Sequence, residues 1–183
     1  MPHYIAFLRG INLGKRRLKM EKLRQLFEEL KFTDVETFIA SGNVIFASRT
    51  ADSRKLEQQI EAHLAKSLGY EVDTFVRTRA EVAAVAAFRP FAAAELEHPD
   101  HTSYVGFFKA ELGADQARKF LTCRTVVDEL CLRGREYYWL CRIKSHESKV
   151  WTSPQMRALK LATSSLRNLT TVRKLALQYP PAG

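Results

Sequence analysis

The dipeptide Gly42-Asn43, set between the β-rich runs 35–40 and 44–47, constrains the fold of this chain more than any other feature. Glycine supplies, and asparagine tolerates, the positive φ of a tight turn, so the two runs pair as a hairpin. What flanks the hairpin completes a unit. Residues 4–8 form a short continuous apolar run ended by Arg9-Gly10, the pattern of a strand buried on both faces. Met20, Leu23, Leu26, Phe27 and Leu30 recur at three- and four-residue spacing and predict a helix over about 20–30. After the hairpin, Asp52 or Ser53 is an N-cap, Leu56, Ile60, Leu64 and Leu68 make one apolar stripe, and Gly69 closes a second helix. Residues 70–76 then alternate as a strand. The order is βαββαβ, a ferredoxin-like arrangement.

The order nearly repeats. An alanine-rich helix over 80–88 ends before Arg89-Pro90, because a residue preceding proline is pushed out of the helical region. Residues 91–101, with Pro99 and three acidic side chains, read as a connector. A strand over 103–109, a helix over 114–121 and a hairpin of 129–133 with 136–143 around Gly134-Arg135 follow. Thr152-Ser153-Pro154 is a helix start, a hydroxyl cap followed by proline at the first helical position, with Met156, Leu159 and Leu161 inward. A last helix over 170–178 turns Val172 and Leu175 inward and stops at Pro180-Pro181. The expected class is α+β: two ferredoxin-like (βαββαβ-type) subdomains, 1–79 and 103–183, joined by a helix and connector over 80–102. The second is expected to be incomplete, with a helical C-terminal tail.

A hydrophobic fraction of 46% with 10% aromatic residues excludes a disordered polar chain. The apolar runs fall far short of the roughly 20 residues that span a bilayer, so no membrane partner is expected. Met1-Pro2-His3-Tyr4 carries no export signal, which points to the cytoplasm. Cys123, Cys131 and Cys141 lack CxxC spacing and fit thiols in a reducing compartment better than a disulfide framework or a zinc site. The net charge of +9 is uneven: residues 1–24 carry +6, residues 131–183 carry +8, and the stretch between carries −5. If the fold brings the two ends together, the molecule has one positive face.

Candidate site residues sit in those basic ends. Gly10 and Gly14 follow a strand and precede a helix, where backbone N–H groups can cradle an anion, although the spacing matches neither dinucleotide nor P-loop signatures. A tight crossover that simply needs glycine is the simpler account of them. Lys15, Arg16, Arg17 and Lys19 oppose the dipole of the helix they precede unless solvent or an anion screens them. Turn chemistry accounts for Ser41 and Asn43. In a ferredoxin-like sheet, however, the first and third strands are adjacent, which places Arg9 and Asn12 beside Ser41 and Asn43. Arg167, Asn168, Arg173 and Lys174 repeat the design near the C-terminus, polar and basic residues leading into a helix. Trp151 either stacks on a ligand ring or packs in the core. His98-Pro99-Asp100-His101 has no second cluster to complete a metal site, and Ser145, His146 and Glu147 read as a solvated loop. No nucleophile elbow, HExxH or HxE…PCxxC pattern occurs, and no cofactor is indicated.

Three groups of residues carry a family resemblance: Phe7-Leu8-Arg9-Gly10-Ile11-Asn12-Leu13-Gly14, then Phe38-Ile39-Ala40-Ser41-Gly42-Asn43-Val44-Ile45-Phe46, and Arg167-Asn168 with Thr171-Val172-Arg173-Lys174-Leu175. With Met20-Glu21-Lys22-Leu23-Arg24 they resemble the bacterial domain of unknown function 1697. The resemblance implies an α+β fold with ferredoxin-like subdomains and a bacterial cytoplasmic protein, with no established activity, substrate or cofactor. The leading functional expectation is a module binding a phosphate-bearing partner, nucleic acid or nucleotide, through its basic residues. One rival is a small-molecule enzyme with a polar pocket at Arg9, Asn12, Ser41 and Asn43. The other is a protein-interaction module using a free sheet edge.

Overall fold

The computed structural model describes residues 1–39 and 42–181. Its strands form two four-stranded antiparallel sheets. The chain divides into two units, Met1–Ala86 with Lys174–Gly183, and Ala87–Arg173.

The first unit runs β1 (His3–Arg9), α1 (Met20–Glu29), β2 (Thr33–Phe38), β3 (Asn43–Ala47), α2 (Ser53–Leu68), β4 (Asp73–Thr78) and α3 (Arg79–Ala87). The sheet order is β2-β3-β1-β4, with β1 between β3 and β4 as the hairpin and element order predict. Tyr4, Ala6 and Leu8 of β1 join Val44 and Phe46 of β3 in a core with Leu23, Leu26 and Phe27 of α1 and Leu56, Ile60 and Leu64 of α2. The alternate residues Ile5, Phe7, Ile45 and Phe75 are buried too, which is why these strands read as continuous apolar runs rather than alternating ones. Asp52 caps α2, its carboxylate accepting from the N–H groups of Arg54 and Lys55.

Strand β4 lies at the edge of its sheet, and its outward N–H groups are occupied by carboxylates. Glu61 Oε1 accepts from Thr74 N at 2.8 Å, Glu57 Oε1 from Val76 N at 2.9 Å and Glu81 Oε2 from Thr78 N at 2.8 Å. Glu57 and Glu61 stand one helical turn apart on α2, so one helix face serves alternate strand residues. Thr78 Oγ1 in return accepts from Glu81 N at 3.1 Å, a reciprocal cap that starts α3 directly from the strand.

In the second unit a short helix α4 (Ala93–Leu96) precedes β5 (Thr102–Phe107), α5 (Ala114–Thr122), β6 (Asp128–Arg133) and β7 (Glu136–Cys141). A 3-10 turn (Val150–Thr152), α6 (Pro154–Ala158), β8 (Ser165–Asn168) and α7 (Leu169–Gln178) complete the chain. The structure adds a fourth strand where the sequence suggested an incomplete unit: β8 pairs with β5 from Phe107↔Ser165 to Tyr104↔Asn168. The order β6-β7-β5-β8 thus parallels that of the first sheet. At four residues β8 is too short to show an alternation, and its polar residues resemble a lead-in to α7.

The core of this unit is aromatic. Tyr137 packs against Phe108, Phe120 and Trp151 with ring centroids 5.0, 5.7 and 5.3 Å away, and its hydroxyl is 3.0 Å from Ser164 Oγ. Gly106 stands opposite Tyr137 in the β5–β7 register, and a Cβ there would overlap the ring atoms Cε1 and Cζ and the hydroxyl. The connector is tied to the sheet by Arg142, whose Nη2 and Nε donate to Glu95 at 2.9 and 3.1 Å. That hydrogen bonding holds the Glu95 carboxyl below its usual range.

Candidate anion-binding site

Residues 10–19 carry the chain from the end of β1 to the start of α1. Gly10 and Gly14 have φ of 77° and 60°, so both make the turns that the crossover requires. Asn12 closes the loop from within, its Oδ1 accepting from Leu18 N at 2.7 Å. Arg17 folds back, Nη1 donating to the carbonyls of Gly14 and Arg16, each at 2.8 Å. The Arg16 guanidinium lies 4.0 Å from the centroid of the Tyr70 ring, and its Nη1 reaches Gly10 O at 3.4 Å. Tyr70 itself donates its hydroxyl to Ile11 O at 3.3 Å.

Lys15, Arg16, Arg17 and Lys19 are all exposed, and among the described residues none of them meets a carboxylate. Lys19 occupies the N-cap position of α1, and no side chain caps that helix end. An open depression of about 470 Å3 beside it is lined by Asn12, Arg17, Leu18 and Lys19. The arrangement sets Arg17 and Lys19 beside a helix end that no side chain caps.

The hairpin meets the loop as strand order suggests. Leu8 N donates to Gly42 O at 2.8 Å, and a Cβ on Gly42 would lie 3.0 Å from Ile11 Cγ2, so hairpin and loop are in direct contact. The polar groups there are nevertheless committed elsewhere. Asn43 is buried and donates Nδ2 to Phe38 O at 3.1 Å, Asn12 holds the loop, and Arg9 pairs with Asp73 at 3.4 Å. Ser41 lies outside the described residues.

The C-terminal candidates differ from the loop. Arg167 of β8 is half-buried, donates Nη1 to Leu166 O at 2.9 Å, and has its pKa pushed down to about 10 by desolvation. Asn168 Oδ1 accepts from Thr170 N at 2.8 Å, which is the cap of α7. Arg173 is half-buried, with its pKa lowered by burial and by Arg89, whereas Lys174 is exposed. Tyr70 is the residue that sequence reasoning missed: nothing in the spacing connects it to a loop so far back along the chain.

Other candidates resolve structurally. Trp151 belongs to the aromatic core. His98 and His101 stack ring on ring at 3.9 Å, and His101 pairs with Glu95 at 3.0 Å. Among the described residues no group of three or more His, Cys, Asp or Glu could hold a metal ion. Burial raises the pKa of all three thiols, the opposite of what activates a nucleophile. Among the described residues no helix is long and apolar enough to cross a membrane.

Two α+β units built on four-stranded antiparallel sheets define the class of fold. Over 98% of each chain it is similar to the structure of a conserved bacterial protein, SP0830 from Streptococcus pneumoniae, with a TM-score of 0.73 and 21% identity, a likeness of fold alone. The chain belongs to the family described as Protein of unknown function (DUF1697), whose model matches residues 1–138. Comparison with curated proteins gave no match.

Proposed function

We propose that this protein is a cytoplasmic module that binds a phosphate-bearing ligand, nucleic acid or nucleotide, at the loop of residues 10–19. One observation carries the reading: Lys15, Arg16, Arg17 and Lys19 stand exposed, with no facing carboxylate among the described residues, in the loop that leads to a helix end with no side-chain cap. The helix dipole adds partial positive charge there, so each nearby cation costs about 0.3–1 kcal/mol until an anion or solvent screens it. A phosphate relieves both charges at once, accepting from first-turn N–H groups and pairing with Lys15 and Lys19. The loop is held by its own hydrogen bonds through Asn12 and Arg17, so binding sacrifices little chain freedom. The polar-pocket enzyme reading is weaker, because Asn12 and Asn43 already serve the backbone.

Calorimetric titration with pyrophosphate and retention on heparin test the proposal. Binding should weaken steeply as salt rises, and a Lys15→Gln/Lys19→Gln variant should lose about tenfold in affinity, a modest share of two charge-assisted contacts. Absence of pyrophosphate binding, or an affinity indifferent to salt and to both substitutions, refutes it.

A further inference from the structure

We propose that Arg16 lying on Tyr70 is a stacking platform for a nucleobase, so that the ligand of the loop is a nucleotide unit with an accessible base rather than a bare phosphate or a closed duplex. This rests on the phosphate-binding reading above. Both members of the pair reach the backbone of the same loop, the Tyr70 hydroxyl 3.3 Å from Ile11 O and Arg16 Nη1 3.4 Å from Gly10 O. The Tyr70 ring is half-buried against the helix-side core, and the guanidinium covers it at 4.0 Å. Arg16 is exposed and meets no carboxylate, so a planar group can approach it from solvent. Guanidinium planes are among the surfaces on which unstacked bases lie, and one already anchored on an aromatic ring loses little freedom when a base is added. Lysine could supply the same charge at position 16 but no plane. Lys15 and Lys19 flank the platform in sequence and remain available for the phosphate.

The test compares AMP with ribose 5-phosphate, which carries the same phosphate monoester without a base, by calorimetry on the full chain. The expected result is AMP binding about tenfold tighter, the size of one base stack. Arg16→Lys should erase that preference, because charge is retained and the plane is lost. Tyr70→Leu, which keeps an apolar side chain against the core but removes the ring and its hydroxyl, should erase it as well, and circular dichroism establishes that each variant is folded. Equal binding of the two ligands by the unaltered protein overturns the platform while leaving the phosphate site standing. A preference for AMP that survives Arg16→Lys also overturns it. Absence of binding by both ligands overturns the platform together with the reading beneath it. A short single-stranded oligonucleotide identifies the source of the base: tighter binding than AMP with a steeper salt slope assigns a strand, and equal binding assigns a free nucleotide.

Discussion

Replacing Gly106 by alanine should destabilise the second unit, against the general expectation for a glycine in the middle of a strand. Elsewhere that change typically gains about 0.5–1 kcal/mol by reducing the freedom of the unfolded chain. Here the added methyl would occupy the space of the Tyr137 ring, which contacts Phe108, Phe120 and Trp151 and keeps its hydroxyl 3.0 Å from Ser164 Oγ. The ring has nowhere to retreat without giving up packing. Overpacking a core costs about 1–3 kcal/mol, and displacing the hydroxyl from its partner adds about 1 kcal/mol. A loss of about 3 kcal/mol in a chain of this size lowers Tm by roughly 6–12 °C. Thermal melts followed by near-ultraviolet circular dichroism report the aromatic cluster directly. In the double variant Gly106→Ala/Tyr137→Leu the methyl meets no ring, so the combined loss should be at least about 1 kcal/mol smaller than the sum of the single losses. A Gly106→Ala melt at or above that of the unaltered protein, or strict additivity in the double variant, refutes the reasoning.

Two further outcomes are expected. Glu57→Leu leaves Val76 N without its acceptor and should cost about 1–3 kcal/mol more than Glu57→Gln, which removes the same charge but keeps an acceptor oxygen; equal urea midpoints for the two variants would sink the edge-capping role. Tyr179 donates to Glu36 Oε2 at 2.6 Å, and burial followed by that hydrogen bond raises its pKa from 10.0 to about 12. The folded chain therefore keeps this proton to higher pH than the unfolded chain, so its contribution is intact below pH 10 and is lost as pH rises to about 12. Tyr179→Phe should flatten that part of the stability profile, and coincident slopes for the two proteins between pH 9 and 12 would argue against it.

The fold was legible where chemistry is local. Gly42, with φ of 75°, marked the hairpin, although Asn43 begins β3 instead of sharing the turn; Asp52 and Gly69 bracketed α2, and Ser153-Pro154 started α6, because caps and turns act within a few residues. Strand β8 escaped because its identity depends on β5, far away in sequence. The basic loop was legible as a charge run before a helix, and so was its meeting with the hairpin, which follows from strand order. What the side chains do there was not legible. The bonds of Asn12, Asn43 and Arg17 to carbonyl and amide groups depend on how the loop closes, and Arg167 is partly desolvated by its place on a strand that the sequence did not show.

The carboxylates along β4 have a topological consequence. A sheet grows by adding a strand to an open row of N–H and C=O groups, and at Thr74, Val76 and Thr78 the amide half of that row is already taken. The next strand in the chain cannot dock there without displacing three charge-assisted bonds. Glu57, Glu61 and Glu81 thus act as a stop signal for lateral growth, and β5 opens a new sheet instead of becoming the fifth strand of the old one.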